Sequence, residues 1–138
     1  MLVVDASAVL GFVFNDDDSA YAEMLKTYMR HNPVVAPDFF RIEANNVIRK
    51  QERRGRYAGE VAELFIHEMM SLNILYRRIT RSWFSEDALY NLQREYDLTA
   101  YDALYLMLAL YLKMPLATLD VKLKAAAIKT NLFWPGTP

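Results

Sequence analysis

The sequence predicts an α/β fold, a three-layer sandwich in which a parallel sheet is flanked by helices. Two observations carry this. Short apolar β-type runs alternate with segments of helical periodicity, the pattern of parallel strands joined by helical crossovers. The 138 residues are 54% hydrophobic and 24% charged, enough apolar material for a substantial core in a chain of one-domain length. No internal repeat, low-complexity tract or long linker divides the chain, so residues 1–138 read as a single domain.

The first apolar run is LVV, residues 2–4, ended by Asp5, and Ser7 is placed to cap a helix beginning AVLGFVF. DDDSAYAEMLKTYMR reads as a second helix, with Ala22, Leu25, Tyr28 and Met29 at helical spacing. Pro33 and Pro37 bracket VVA, a short buried strand. From Asp38 the pattern is helical through Phe39, Ile42, Val47 and Ile48, ending near Gly55. Another helix spans roughly Ala58 to Leu72, followed by a strand within NILYRRI. SWFSEDALYNLQREY is helical, with Ser85 too early by its spacing for a clear capping pattern. Thr99 opens the helix that contains YDALYLMLALYL, residues 101–112. Pro115 begins a buried strand, PLATL; VKLKAAAIK is a short helix and LFW a last strand.

Composition narrows the function classes. The chain has no cysteine, which excludes disulfides and thiolate zinc sites. His31 and His67 lack metal-ligand company at suitable spacing and read as ordinary boundary residues. The strictly apolar runs fall short of the ~20 residues that span a bilayer. No basic segment precedes an apolar one at the N-terminus, so the expectation is a cytoplasmic protein with no membrane partner. A net charge of -1 does not mark a nucleic-acid binder. Charge is uneven, however: RKQERRGR runs from Arg49 to Arg56, and YRRITR adds Arg77, Arg78 and Arg81. Taken alone, the first cluster is a solvated helix end whose cations suit the C-terminal dipole.

YDALYLMLALYL holds one charge, Asp102, on a helix that must be buried. An ionised carboxylate there is costly unless something neutralises or hydrogen-bonds it. Three further acids are placed comparably. Asp5 follows LVV, Asp120 follows LAT after Leu119, and Glu43 lies in the first two turns of the helix after VVA. In a parallel α/β fold ligands collect beyond the carboxyl ends of the strands, and all four acids project toward that edge. Asp5 and Asp120 could simply cap helices. Thr99 and Asp102 fit a capping box. Glu43 has no such role, because it shares a helix face with Phe39 and Val47. Caps need not converge on one edge, and four ionised carboxylates in one cleft repel each other. A hard divalent cation, Mg²⁺ or Mn²⁺, removes that conflict and supports hydrolysis of phosphodiesters. The hydroxyls of Ser7 and Thr118 are placed to hold a carboxylate or a water at the cation, or to cap locally.

VVDASAVL, FFRIEANNVIRK, LTAYDALYLMLAL and PLATLD together resemble the four acidic motifs of the PIN-domain ribonucleases, most closely the VapC-like toxins of bacterial and archaeal toxin–antitoxin pairs. The resemblance runs from residue 2 to about 133. It implies a parallel five-stranded sheet flanked by helices. It also implies that Asp5, Glu43, Asp102 and Asp120 are the catalytic, metal-binding acids, with Ser7 and Thr118 supporting them. The implied activity is a Mg²⁺- or Mn²⁺-dependent endoribonuclease. The implied partners are a second copy of the chain and an antitoxin protein that fills the cleft, often with a basic side chain. With RNA as substrate, Arg49, Lys50, Arg53 and Arg54 become candidates to line its approach, since phosphate contacts supply most sequence-independent affinity. KMPLATLD and KTNLFW depart from the family in lacking the glycine often found before these last strands.

Other readings compete. A housekeeping RNA-processing nuclease of the same fold would work without an antitoxin. A non-catalytic RNA-binding module would gain nothing from concentrated negative charge. A signalling receiver domain needs a phosphate-accepting Asp after a central strand and a Lys opposite, and PLATLD has no such Lys partner.

Overall fold

The structure is a computed structural model that describes residues 1–15 and 19–137. In chain order its elements are β1 (Val3–Val4), α1 (Ala6–Val13), α2 (Ala20–Met29), β2 (Val34–Pro37), α3 (Phe40–Arg53) and α4 (Gly59–Ser71), then β3 (Ile74–Arg77), α5 (Glu86–Tyr96), α6 (Ala100–Leu112), β4 (Leu116–Ala117) and α7 (Val121–Lys129). The strands form one sheet in the order β3-β2-β1-β4, and every pairing is parallel. This is the α/β class the sequence predicts.

The central strands are apolar without alternation because helices cover both faces of the sheet. Val3, Val4, Val34, Ala36, Leu116 and Ala117 are fully buried. Helices α1 to α4 pack among themselves, and α5 and α7 pack on α6. Helix α6 lies against β1, β2 and β4. That position explains why seven consecutive residues, Ala103 to Ala109, are buried, among them Leu104, Met107 and Leu108. No described helix is long and apolar enough to cross a membrane.

Three expectations are corrected. The fifth strand is reduced to a single bridge between Phe133 and Leu116, closed by bonds from Leu116 N–H to Leu132 O and from Trp134 N–H to Leu116 O. The next residue, Pro135, has no N–H with which to continue the ladder. The cap of α1 is Asp5, whose carboxylate accepts from the Ala8 amide, while Ser7 lies inside the helix. Ser85 does cap α5, its hydroxyl accepting from Ala88 N–H. Asp16, Asp17 and Asp18, which begin the second helical segment of the sequence, lie outside the described residues; α2 is capped by Ser19.

The turns that lack the family's glycine still use the left-handed backbone. Lys113, after α6, has φ 55°, and Asn131, after α7, has φ 60°. Asn tolerates this region, whereas a Lys there carries the Cβ clash that glycine avoids.

Candidate functional site

Register brings the first acid to its partners. Val4 pairs with Ala117, so Asp5 and Thr118, the next residues of β1 and β4, stand side by side. The Asp5 amide continues the ladder by donating to Ala117 O. Asp5 is 3% exposed and Thr118 1% exposed. Asp5 Oδ1 accepts from Ser7 Oγ at 2.7 Å and from the Ala8 amide at 3.0 Å, and Oδ2 accepts from Thr118 Oγ1. The two hydroxyls also accept, Ser7 Oγ from Leu119 N–H and Thr118 Oγ1 from Asp120 N–H. Each hydroxyl has one proton, and both protons go to Asp5. Ser7 and Thr118 therefore hold a carboxylate, one of the alternatives open from sequence. Burial pushes the Asp5 carboxyl up to about 7, against the Thr118, Ala8 and Ser7 hydrogen bonds, and Glu43 adds to the rise.

The other acids come from the helices that follow. Glu43 sits half-buried in the first turn of α3, where the helix dipole suits a carboxylate. Its Oε1 accepts from the Tyr105 hydroxyl at 2.9 Å. Burial raises its pKa, Tyr105 opposes the rise, and Asp102 and Asp120 add to it. Asp102, half-buried in the first turn of α6, is raised by burial and then by Asp120, with Thr99 opposing. Thr99 caps α6 by accepting from the Asp102 amide. Asp120 caps α7, its Oδ1 accepting from Leu123 N–H at 2.8 Å. Asp5 and Asp120 are thus helix caps as well as members of the group. Asp5 is coupled to Glu43, Glu43 to Asp102 and Asp120, and Asp102 to Asp120.

Tyr105 is the member that sequence reasoning missed. It reads there as one more core residue of an apolar helix. Its position three residues after Asp102 puts it on the same helix face, and a buried tyrosine hydroxyl needs a partner.

A model of the PIN domain family matches residues 2–129. The chain belongs to the PIN domain family. PIN domains are generally metal-dependent nucleases. The fold is also that of a solved structure, described as the crystal structure of PAE2754 from Pyrobaculum aerophilum. That structure is 23% identical with a TM-score of 0.67, over 90% of this chain and 77% of the other. A search of curated proteins finds no match.

In this PIN domain the donor set fits a hard divalent cation. It is carboxylate oxygen throughout, and among the described residues no Lys or Arg forms a direct ion pair with any of the four acids; Lys122, two residues after Asp120, feels its charge but bonds to Asp97, and Arg49 and Arg81 pair with Glu52 and Glu86. No three acidic or histidine side chains among the described residues are drawn together as a ready-made cation cage. The fit is one of donor chemistry: Mg²⁺ prefers oxygen ligands, keeps several waters and usually takes only one or two carboxylates.

The basic residues lie away from the acids. Arg49, Lys50, Arg53 and Arg54 are all exposed in the last turns of α3 or just beyond it. At the α-helical rise, Arg49 and Arg53 stand ~9 Å and ~15 Å along the axis from Glu43. Lys50 and Arg54 fall on the Glu43 stripe of the helix, and Arg49 and Arg53 fall off it. Cations closer to the acids in the chain are Arg41, in the first turn of α3 with its guanidinium 4.6 Å from the centre of the Tyr76 ring, and Lys122, which feels the charge of Asp120.

Proposed function

We propose that this PIN domain is a Mg²⁺- or Mn²⁺-dependent endoribonuclease, and that it serves as the cytoplasmic toxin of a type II toxin–antitoxin pair. The observation that carries the nuclease reading is the edge of acids, of which burial raises the pKa of Asp5, Glu43 and Asp102, with no described cation in a direct ion pair with any of them. Asp5, Glu43, Asp102 and Asp120 would hold the cation. Once bound, a divalent ion supplies an activated water and a counter-charge for the leaving oxygen of an RNA phosphodiester. The chain's own part is orientation. Ser7, Thr118 and the Ala8 amide fix Asp5, and α6 and α7 present Asp102 and Asp120 from their first turn and cap. Arg49, Lys50, Arg53 and Arg54 would take RNA phosphates beyond the cleft; neutralising them should weaken RNA binding and flatten its salt dependence.

An apolar rim supports a protein partner. Ile42, Tyr101, Leu119 and Val121 each adjoin one of the acids in sequence and are 74%, 60%, 37% and 81% exposed. Large exposed apolar side chains around a charged cleft mark an interaction surface, and an antitoxin that brings a basic side chain would suit it. Homodimerisation is part of the same proposal.

The test is incubation of the purified protein with structured RNA in Mg²⁺, Mn²⁺ or EDTA, beside Asp5→Asn and Asp102→Asn. Cleavage in the metals alone, lost in both variants, is expected. Cleavage that persists in EDTA or in both variants would refute the mechanism. The toxin role predicts growth arrest on expression, relieved by Asp5→Asn.

A further inference from the structure

We infer that Tyr105 is a positioning residue for the cation site: its hydroxyl, on α6, fixes the Glu43 carboxylate of α3 through Oε1 and leaves Oε2 to face a cation. The inference rests on the metal-dependent reading above and deepens it.

Glutamate is long and rotamer-rich, so a half-buried Glu43 without a partner would spread over several orientations. Tyr105 is fully buried and has only two side-chain torsions. Its ring is held by Phe39, which meets it edge-on at 5.2 Å and lies one turn before Glu43. Ring and acid are therefore fixed by the same end of α3, its N-cap residue and its first turn. The bond joins residues 62 apart in sequence and ties α3 to α6. Because Tyr105 shares a face with Asp102, α6 presents one acid directly and orients a second through the phenol.

The chemistry of the donor matters. A Lys or Arg in this place would neutralise Glu43 and compete with any cation for it. A phenol donates a hydrogen bond and leaves the carboxylate its full charge. Asp5 is treated in the same way, by the hydroxyls of Ser7 and Thr118. Hydrogen-bonding partners behind metal-binding side chains are a general means by which a protein orients its ligands, and their loss lowers metal affinity about 10–100-fold.

The experiment measures Mn²⁺ affinity by calorimetry for wild type, Tyr105→Phe, Glu43→Gln and the double variant, with melting in EDTA alongside. Tyr105→Phe keeps the ring and should weaken Mn²⁺ binding about tenfold or more while melting in EDTA within a few degrees of wild type. In the Glu43→Gln background the same change should add less than about twofold, since the bond is already altered. If Tyr105→Phe fails to fold, Phe39→Leu removes the ring that steadies Tyr105 and should lower Mn²⁺ affinity in the same direction. Full Mn²⁺ affinity in a folded Tyr105→Phe, or in Phe39→Leu when it is used, overturns the inference alone, as does an equal loss in the Glu43→Gln background. A wild-type protein that binds no Mn²⁺ overturns the metal reading and the inference with it.

Discussion

Two sets of carboxylates in this molecule have opposite surroundings. Glu86 and Asp97 are on the surface, each with a cation at 2.7 Å, Arg81 and Lys122, and each is held below the usual carboxylate range by that partner. Asp5, Glu43 and Asp102 lie at the carboxyl edge of the sheet and are pushed up by burial. Asp5 and Glu43 receive side-chain bonds from the hydroxyls of Ser7, Thr118 and Tyr105. The surface acids are complete as they stand. A hydroxyl orients a carboxylate without cancelling its charge, so the edge acids keep a demand for positive charge that the described residues do not meet. Burial of such a group is costly, and a fold that retains three with raised pKa has a use for them.

The largest test of this contrast is catalytic. Asp5→Asn or Asp102→Asn should lower RNA cleavage by ~100-fold or more, the scale of losing part of a metal's charge stabilisation. Glu86→Gln should leave it within about twofold. Equal losses from both sets, measured on one RNA substrate, would erase the distinction.

Next in size is the bond from Thr118. Thr118→Val keeps the shape and removes both the proton given to Asp5 Oδ2 and the acceptor of the Asp120 amide, at a cost of about 1–3 kcal/mol for each buried group left unsatisfied. Denaturant unfolding in EDTA at pH 8, where Asp5 is ionised, reads that cost; at pH 5 the loss should be smaller.

The pH dependence of the cation-free protein follows from Asp5. Its pKa moves from 3.8 to about 7 on folding. Between those values the folded state keeps a proton that the unfolded chain has released. Stability from this group is therefore full below about pH 4 and declines as pH rises to about 7; the raised pKa values of Glu43 and Asp102 act in the same direction. Melting in EDTA should fall from pH 5 to pH 8, and Asp5→Asn should flatten the fall. A rise with pH would contradict the burial of Asp5. The smallest effect belongs to the surface: Arg81→Ala should leave the melting temperature within error, because exposed pairs contribute little.

Much of this was legible before the structure. The alternation of VVA-like runs with helical segments gives the sheet, because strands covered by helices on both faces read as short continuous apolar runs. Glu43 stood out because it interrupts the face shared by Phe39 and Val47. Tyr105 did not, since a tyrosine among leucines reads as core and its partner lies far along the chain. LFW has the composition of a strand, yet Pro135 limits it to a bridge, and three residues of composition do not count ladder bonds. The spacing of the Arg49–Arg54 cluster gives its separation from Glu43 along α3 but not from Asp5, Asp102 or Asp120, because that is set by the direction in which α3 leaves the sheet. The missing glycines before the last strands left no trace in the path, as Lys113 and Asn131 take up the left-handed turns.

The most direct test of the unmet charge is melting in Mn²⁺ at pH 8. A cation that binds only the folded site must raise the melting temperature. Wild type and Glu86→Gln should rise together, with EDTA reversing both, and Asp102→Asn should rise less. No rise in wild type, or an equal rise in Asp102→Asn, would contradict the account.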